Sequence, residues 1–389
     1  MAMEQASTGQ LGPLPEFLRQ ATDEVERIVA PSGDKVLLVR GYALGRQVLT
    51  DKRFSRAAAV QPDAPRFNDA QPVPDSMMSM DGAKHARLRR VVAGTFTTGR
   101  VSAMAPAVER LVDEHLNRVA DIGPGADLVE ELAAPLSLSV LCSLLGIPLD
   151  DSARFREWVE VLFDITASTP REKARHRLEL IGYMTDTIEQ KLQRQDDDLL
   201  TTLIRAHTQG KMSRPELLTL GLTLLMAGYE TTAGQIGLSV LSLLSDRETH
   251  DELRAHPELL PDAVEEFLRL TPATPLSFPR VAVEPVELNG VTIQAGEAVV
   301  VSLLHGNRDT EVFAEPGQLM LRSRDAVHLT FGHGVHRCLG APLAKLQVQL
   351  VLGRLLERFP ALRLTPGPDS VVWKDGLATR GLSRLRVEW

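Results

Sequence analysis

The chain of 389 residues carries 43 basic and 51 acidic side chains, a formal net charge of -8, and is 43% hydrophobic and 4% aromatic. That is the composition of an ordinary folded globule, with length for one large core or two modest ones, and it excludes disorder and collagen-like repeats. The acidic balance disfavours nucleic acid as a general partner, and two distant cysteines, Cys142 and Cys338, cannot build a disulfide framework or a four-cysteine zinc site and suit a reducing compartment.

The opening MAMEQASTGQLGPLPEFLRQ has no basic region followed by an apolar stretch and no small-residue cleavage site, so no signal peptide is expected, and residues 1–30 read as partly irregular. A strand is predicted at Lys35 to Arg40. Val60 to Ser76 holds four prolines and little apolar periodicity, the mark of a long functional loop. Apolar residues three and four apart predict helices over Val108 to Val119, Leu136 to Leu145 and Glu172 to Leu192.

Leu217 to Ser245 is long enough to span a bilayer. Glu230 sits near its middle, where a charge costs roughly 2.5–3.5 kcal/mol on insertion scales, and polar residues are interspersed throughout. A helix buried in a protein core is therefore expected, not an integral membrane segment. Strands return at Val281 to Leu303, where Asn289-Gly290 between β-rich runs signals a hairpin, and at Val371 to Val387. With no repeat and no linker, the expected fold is mainly α with a small β portion, one domain over residues 1–389.

The stretch from Phe331 to Gly340, FGHGVHRCLG, precedes a helical run from Pro342 to Phe359. Gly332 and Gly334 permit positive φ. A helix beginning at about Cys338 would aim backbone N–H groups at the sulfur, and with Arg337 and His336 nearby would favour a thiolate. The alternative is a free cysteine buried as a small hydrophobe, which is the reading for Cys142 within LSLSVLCSLLGIP.

On the long helix, Ala227-Gly228-Tyr229-Glu230-Thr231-Thr232 places small residues, an acid and an alcohol where a core would hold leucines. Ala227 and Gly228 would make room for a flat cofactor or dioxygen, and Glu230 with Thr231 would relay protons. The alternative is a kink held by Thr231 or Thr232 bonding back to a carbonyl. Glu266 and Arg269 share a helix face, a pairing worth only ~0.2–0.5 kcal/mol by itself.

These segments resemble the cytochrome P450 family. Phe331, Gly332, Gly334, His336, Cys338 and Gly340 match its haem-binding signature, Ala227 to Thr232 its oxygen-activating motif, and Glu266 with Arg269 its Glu-x-x-Arg pair. The likeness runs from about Val36 to the end of the chain through FSRAA, MDGAKHARLRR, FTTGRV, LLGIP, GNRD and RFPALRL. It implies the P450 fold, with a long central helix crossing the haem, and haem b whose iron Cys338 ligates. The thiolate's push toward O–O cleavage is the stock rationale of that enzyme class. Phe331 would pack beside the sulfur, with Gly332, Gly340, Ala227 and Gly228 also against the cofactor. His85, Arg89, Arg280 and His336 would bind the propionates, Thr231 and Glu230 would deliver protons, and Glu266 with Arg269 would be a structural lock, joined by Arg322 or Arg324.

The implied activity is a monooxygenase that hydroxylates or epoxidises a mostly apolar natural product (polyketide macrolide, terpenoid or modified peptide) with O2, in secondary-metabolite biosynthesis. No flavin or nicotinamide-binding stretch is present, so a ferredoxin served by a ferredoxin reductase is expected to supply electrons. Lys84, Arg87, Arg90 and Lys345 would form its basic docking patch. Met77, Met78, Leu225, Tyr229, Leu276, Phe278 and Leu377 are the candidate substrate contacts, the methionines equally suited to filling core gaps. A cytoplasmic monomer is expected. Oxidative coupling or ring formation without oxygen insertion is the alternative, a haem-based gas sensor a remoter one, and a peroxide-driven peroxygenase would not need the acid–alcohol pair. Departures from the family pattern fall at MDGAKH, at His305-Gly306 ahead of Asn307-Arg308-Asp309, at Gln347 and at Tyr229, a variable position of the oxygen motif, and bear on substrate fit and the proximal face of the haem.

Overall fold

The computed structural model describes residues 14–389 apart from 15, 21, 69–72, 74, 149–151, 164–167, 195, 323–325, 368 and 375–378. The first elements in chain order are α1 (Glu16–Gln20), β1 (Val25–Val29), β2 (Lys35–Val39), α2 (Tyr42–Thr50) and β3 (Phe54–Ser55). A helical series follows: α3 (Gly82–Ala93), α4 (Thr98–Ile122), α5 (Ala134–Leu145), α6 (Ser152–Phe163), α7 (Pro170–Leu192), α8 (Leu199–Thr208), α9 (Arg214–Ser245), α10 (Arg247–Ala255) and α11 (Leu260–Leu270). Then come β4 (Arg280–Ala282), β5 (Val286–Leu288), β6 (Val291–Ile293), β7 (Ala298–Val301) and α12 (Leu303–Gly306). The chain ends with α13 (Ala341–Arg358), β8 (Arg363–Leu364), β9 (Val371–Trp373), β10 (Leu382–Leu385) and β11 (Val387–Glu388). Contacts group these into two compact units: Met1–Pro74, Met78–Gly82 and Pro261–Cys338 form the first, and Asp75–Met77, Ala83–Leu260 and Leu339–Trp389 the second.

The first unit is organised on a five-stranded sheet of order β1-β2-β7-β4-β3, in which β2 and β7 run parallel and the other pairs antiparallel. KVLLV in β2 and AVVV in β7 are apolar on both faces because both faces are covered, and the period of two sorts them. Leu37, Val39, Val299 and Val301 pack with Tyr42, Leu49, Phe54 and Leu329 on one side. Val36, Leu38 and Ala298 pack with Leu18, Ile28 and Val281 on the other. The Asn289-Gly290 signal is a hairpin between β5 and β6, with φ of 49° and 74° at the two residues. Strand β1 was not legible in the sequence. Its charged VERIV pairs along the full length of β2, from Val25 opposite Val39 to Val29 opposite Lys35.

The second unit is built around α9. Ser213 caps it with a reciprocal box, its Oγ accepting from Glu216 N–H while Glu216 accepts from Ser213 N–H at 2.8 Å. Helices α5, α7, α8 and α13 pack on α9. From Thr232 to Leu241 every residue is buried, so the long apolar run reads as core. Among the described residues no helix is long and apolar enough to cross a membrane. The predicted helices lie inside α4, α5 and α7. The helix after the cysteine starts at Ala341, near the expected Pro342 and not at Cys338.

Candidate active site

In the first unit the cysteine loop turns through Gly332 and Gly334, at φ of 67° and 72°. At Gly334 no other residue fits, because a Cβ would lie 2.8 Å from the Leu49 carbonyl oxygen. A 3-10 turn over Gly334–His336 follows, and Cys338 N–H closes the loop on the Phe331 carbonyl at 2.8 Å. The Cys338 side is exposed, whereas Cys142 is wholly buried in α5. Gly340 is the residue before α13, so Cys338 precedes the first helical turn. The expectation of a helix starting at the cysteine is corrected accordingly. The loop, not helix registration, presents the sulfur.

Around this loop the first unit gathers basic groups on one acid. Asp81 accepts from Ser55 Oγ at 2.6 Å and from the N–H groups of Ala57 and Arg56 at 2.9 and 3.3 Å, and stands 3.7 Å from His336 Nε2. Burial pushes its carboxyl up, but His336, Ser55 and the two amides together hold it well below the usual range. Burial lowers the His336 imidazole, with Asp81 pulling the other way, which corrects the picture of His336 as a ready cation beside the cysteine. Arg280 is buried, its Nη1 donating to Phe54 O at 3.2 Å and its Nε without a hydrogen-bond partner among the described residues.

Arg56 was missed as a site residue although it stands in FSRAA. It is buried, donates to the carbonyls of Met78 (2.9 Å) and Pro279, and stacks 5.1 Å from the Phe278 ring centroid. Burial, with Arg280 adding to it, lowers its guanidinium to about 10. Two buried arginines against a single carboxylate among the described residues leave uncompensated positive charge, and Arg280 keeps an unused donor. A cofactor with carboxylate substituents fits such a set.

In the second unit, α3 puts His85 and Arg89 one turn apart on one face, His85 buried and Arg89 half-buried. On α9, Thr231 Oγ1 donates to Ala227 O at 2.7 Å, the back-bond weighed as its structural role. Glu230 is buried and ion-paired with Lys374 at 2.8 Å, a partner 144 residues away that no local pattern announces. Gly228 is corrected: a Cβ there would meet Leu141 Cδ2 at 2.6 Å, so the missing side chain lets α5 approach α9.

Leu225 and Tyr229 were expected to face substrate, but both are buried inside this unit, at 0% and 2% exposure. Desolvation raises the Tyr229 phenol, and Glu230, Arg156 and Glu160 are the charges it feels most. The half-buried Thr223, Leu224, Ala227 and Thr231 form one face of α9 instead. Met77 is buried, Met78 and Leu276 half-buried, and Phe278 is 57% exposed. Leu377 and Arg324 lie outside the described residues. Arg322 is exposed, and the Arg269 donors beyond Glu266 go to the carbonyls of Asn307, Pro316 and Gln318.

The docking patch also changes. Arg87 pairs with Glu216 at 2.5 Å and donates to Lys211 O at 2.6 Å, so its charge is already answered. Lys84 and Arg90 are exposed on α3, and Lys345 is half-buried.

The family model described as Cytochrome P450 matches residues 16–379. The chain belongs to the cytochrome P450 family. Nocardicin C N-oxygenase of Nocardia uniformis subsp. tsuyamanensis is 41% identical, over 93% of this P450 and 92% of that protein. Mycinamicin IV hydroxylase/epoxidase of Micromonospora griseorubida is 38% identical, over 95% and 94%. Among solved structures, the putative thioether synthase SgvP, described as acting in the tailoring step of griseoviridin, superposes with a TM-score of 0.91 at 36% identity over 96% and 95% of the two chains. This P450 is an oxidoreductase that uses haem b and dioxygen, binds a small-molecule substrate and takes electrons from a redox partner. The bound haem supplies the dioxygen activation; the protein supplies positioning, protons and exclusion of water.

Proposed function

We propose that this P450 is a monooxygenase placing one atom of O2 into a mostly apolar secondary metabolite by hydroxylation or epoxidation. The observation that carries the reading is the first unit's exposed Cys338 on a glycine-shaped loop, together with the two buried arginines Arg56 and Arg280 beside His336. In it Cys338 would hold the iron and Arg280, His336, His85 and Arg89 would hold the propionates. Thr231 turns its hydroxyl from the Ala227 carbonyl to hand on a proton, and Glu230 supplies it. Relatives named for nocardicin C and mycinamicin IV support a substrate of secondary metabolism. The candidate substrate contacts are Met78, Leu276 and Phe278 in the first unit and, in the second, Leu224 and Ala227 on the half-buried face of α9. A ferredoxin served by its reductase delivers electrons at Lys84, Arg90 and Lys345, and the enzyme works in the cytoplasm as a monomer.

The test is turnover under isotopically heavy dioxygen. One heavy oxygen atom in the product supports insertion. The likeness to a putative thioether synthase favours one second reading, oxidative coupling or ring formation without oxygen insertion, which yields a product without the label.

A further inference from the structure

Helix α9 holds two carboxylates: Glu216 serves its N-terminal cap, and Glu230 lies in its buried middle. The Glu230 side chain is 2% exposed; its Oε1 accepts from Lys374 Nζ at 2.8 Å, and its Oε2 is buried with no hydrogen-bond partner among the described residues. Lys374 is itself only 19% exposed. It follows β9 directly and its backbone N–H donates to Gly381 O at 3.0 Å, so the paired strands β9 and β10 anchor it. A buried carboxylate needs a counterion, and a pair kept only for structure ordinarily satisfies both oxygens. This pair is half-satisfied: the ammonium fixes one oxygen, and the other has no hydrogen-bond partner among the described residues.

We propose that Lys374 is a positioning residue that acts through Glu230, holding the carboxylate in one orientation so that proton uptake keeps pace with electron delivery. The proposal rests on the reading of Glu230 as the proton-supplying acid. Each productive turnover consumes substrate, one O2, two electrons from the ferredoxin and two protons, and yields the oxygenated product and water. When protons are misdelivered, O2 with the same two electrons and two protons leaves as hydrogen peroxide.

The experiment compares the full-length holoenzyme with K374M, K374R, E230Q and K374M/E230Q. Hydrogen peroxide released per O2 should rise several-fold in K374M and return toward the parent value in K374R, and the double variant should be no worse than E230Q. The infrared spectrum of the resting protein supplies a readout independent of turnover. K374M should shift the carboxylate stretching bands, because Glu230 Oε1 loses the contact to Lys374 Nζ, and the double variant should lack that shifted pair. K374Q gives the same comparison if K374M folds poorly. If K374M couples like the parent while E230Q does not, the role of Lys374 is overturned and the reading of Glu230 stands. If E230Q couples like the parent, that reading fails and the proposal falls with it. Losses that add in the double variant would mean that Lys374 does not act through Glu230, which also overturns the proposal.

Discussion

Arg269 grips Glu266 with two hydrogen bonds, Nε to Oε1 at 2.8 Å and Nη2 to Oε2 at 2.7 Å, with only 3% and 12% of the two side chains exposed. The surface-helix value for such a pair does not apply here, because Arg269 also ties down three backbone carbonyls and Glu266 accepts from Met320 N–H at 3.1 Å. Arg269→Ala strands a buried carboxylate and those carbonyls, and should destabilise the protein by about 3–5 kcal/mol. The shift of the urea unfolding midpoint measures it, and a change below about 1 kcal/mol would place the pair with ordinary surface pairs.

His305 is the group for a pH prediction. Burial, then Arg40 and Arg308, lowers its imidazole to about 4 from an ordinary 6.5. Because the unfolded chain takes up this proton at higher pH than the folded one, the neutral ring's contribution is intact above about pH 6.5 and is lost as pH falls toward 4. The loss is on the order of 3 kcal/mol at 1.36 kcal/mol per pH unit. Unfolding free energies measured from pH 7 to pH 4 should therefore fall less steeply in His305→Gln than in the parent.

Gly228→Ala separates packing from cofactor clearance. In a helix interior the change ordinarily stabilises by roughly 0.5–1 kcal/mol, but the new methyl would press on Leu141. Overpacking costs typically ~1–3 kcal/mol, so a net loss of about 1 kcal/mol is expected in the thermal or urea midpoint. A gain would show that the position is open.

Arg90→Glu should slow reduction by ferredoxin several-fold without altering substrate affinity, since Arg90 is exposed on α3. Arg87→Glu is the control that separates docking from folding. It sets a like charge against Glu216 and breaks the contact to Lys211 O, so it should lower stability. Stopped-flow reduction rates across ionic strength, with unfolding curves, distinguish the two. An unchanged rate in Arg90→Glu would remove α3 from the docking face.

The parts of the fold that were legible in sequence carry strong local signals: the periodic helices, the Asn289-Gly290 turn and the glycine-shaped cysteine loop. Strand β1 was hidden because VERIV carries charges and owes its conformation to pairing with β2. The facing side of α9 was not readable for a related reason. A helix apolar nearly all round has no amphipathic stripe to show which side meets a ligand, and Leu225 and Tyr229 turned out to be core. Asp81 and Arg56 lie in segments already matched to the family, yet their importance comes from convergence in space on His336 and Arg280. Lys374 finds Glu230 only through tertiary packing.

The central claim is that Cys338 binds the haem iron as a thiolate. The most direct test is the absorption spectrum of the reduced protein under carbon monoxide. The account predicts the red-shifted band of a thiolate-ligated haem in the parent and its loss in folded Cys338→Ser. An unshifted band in the folded parent, or a red-shifted band that survives the substitution, would contradict it.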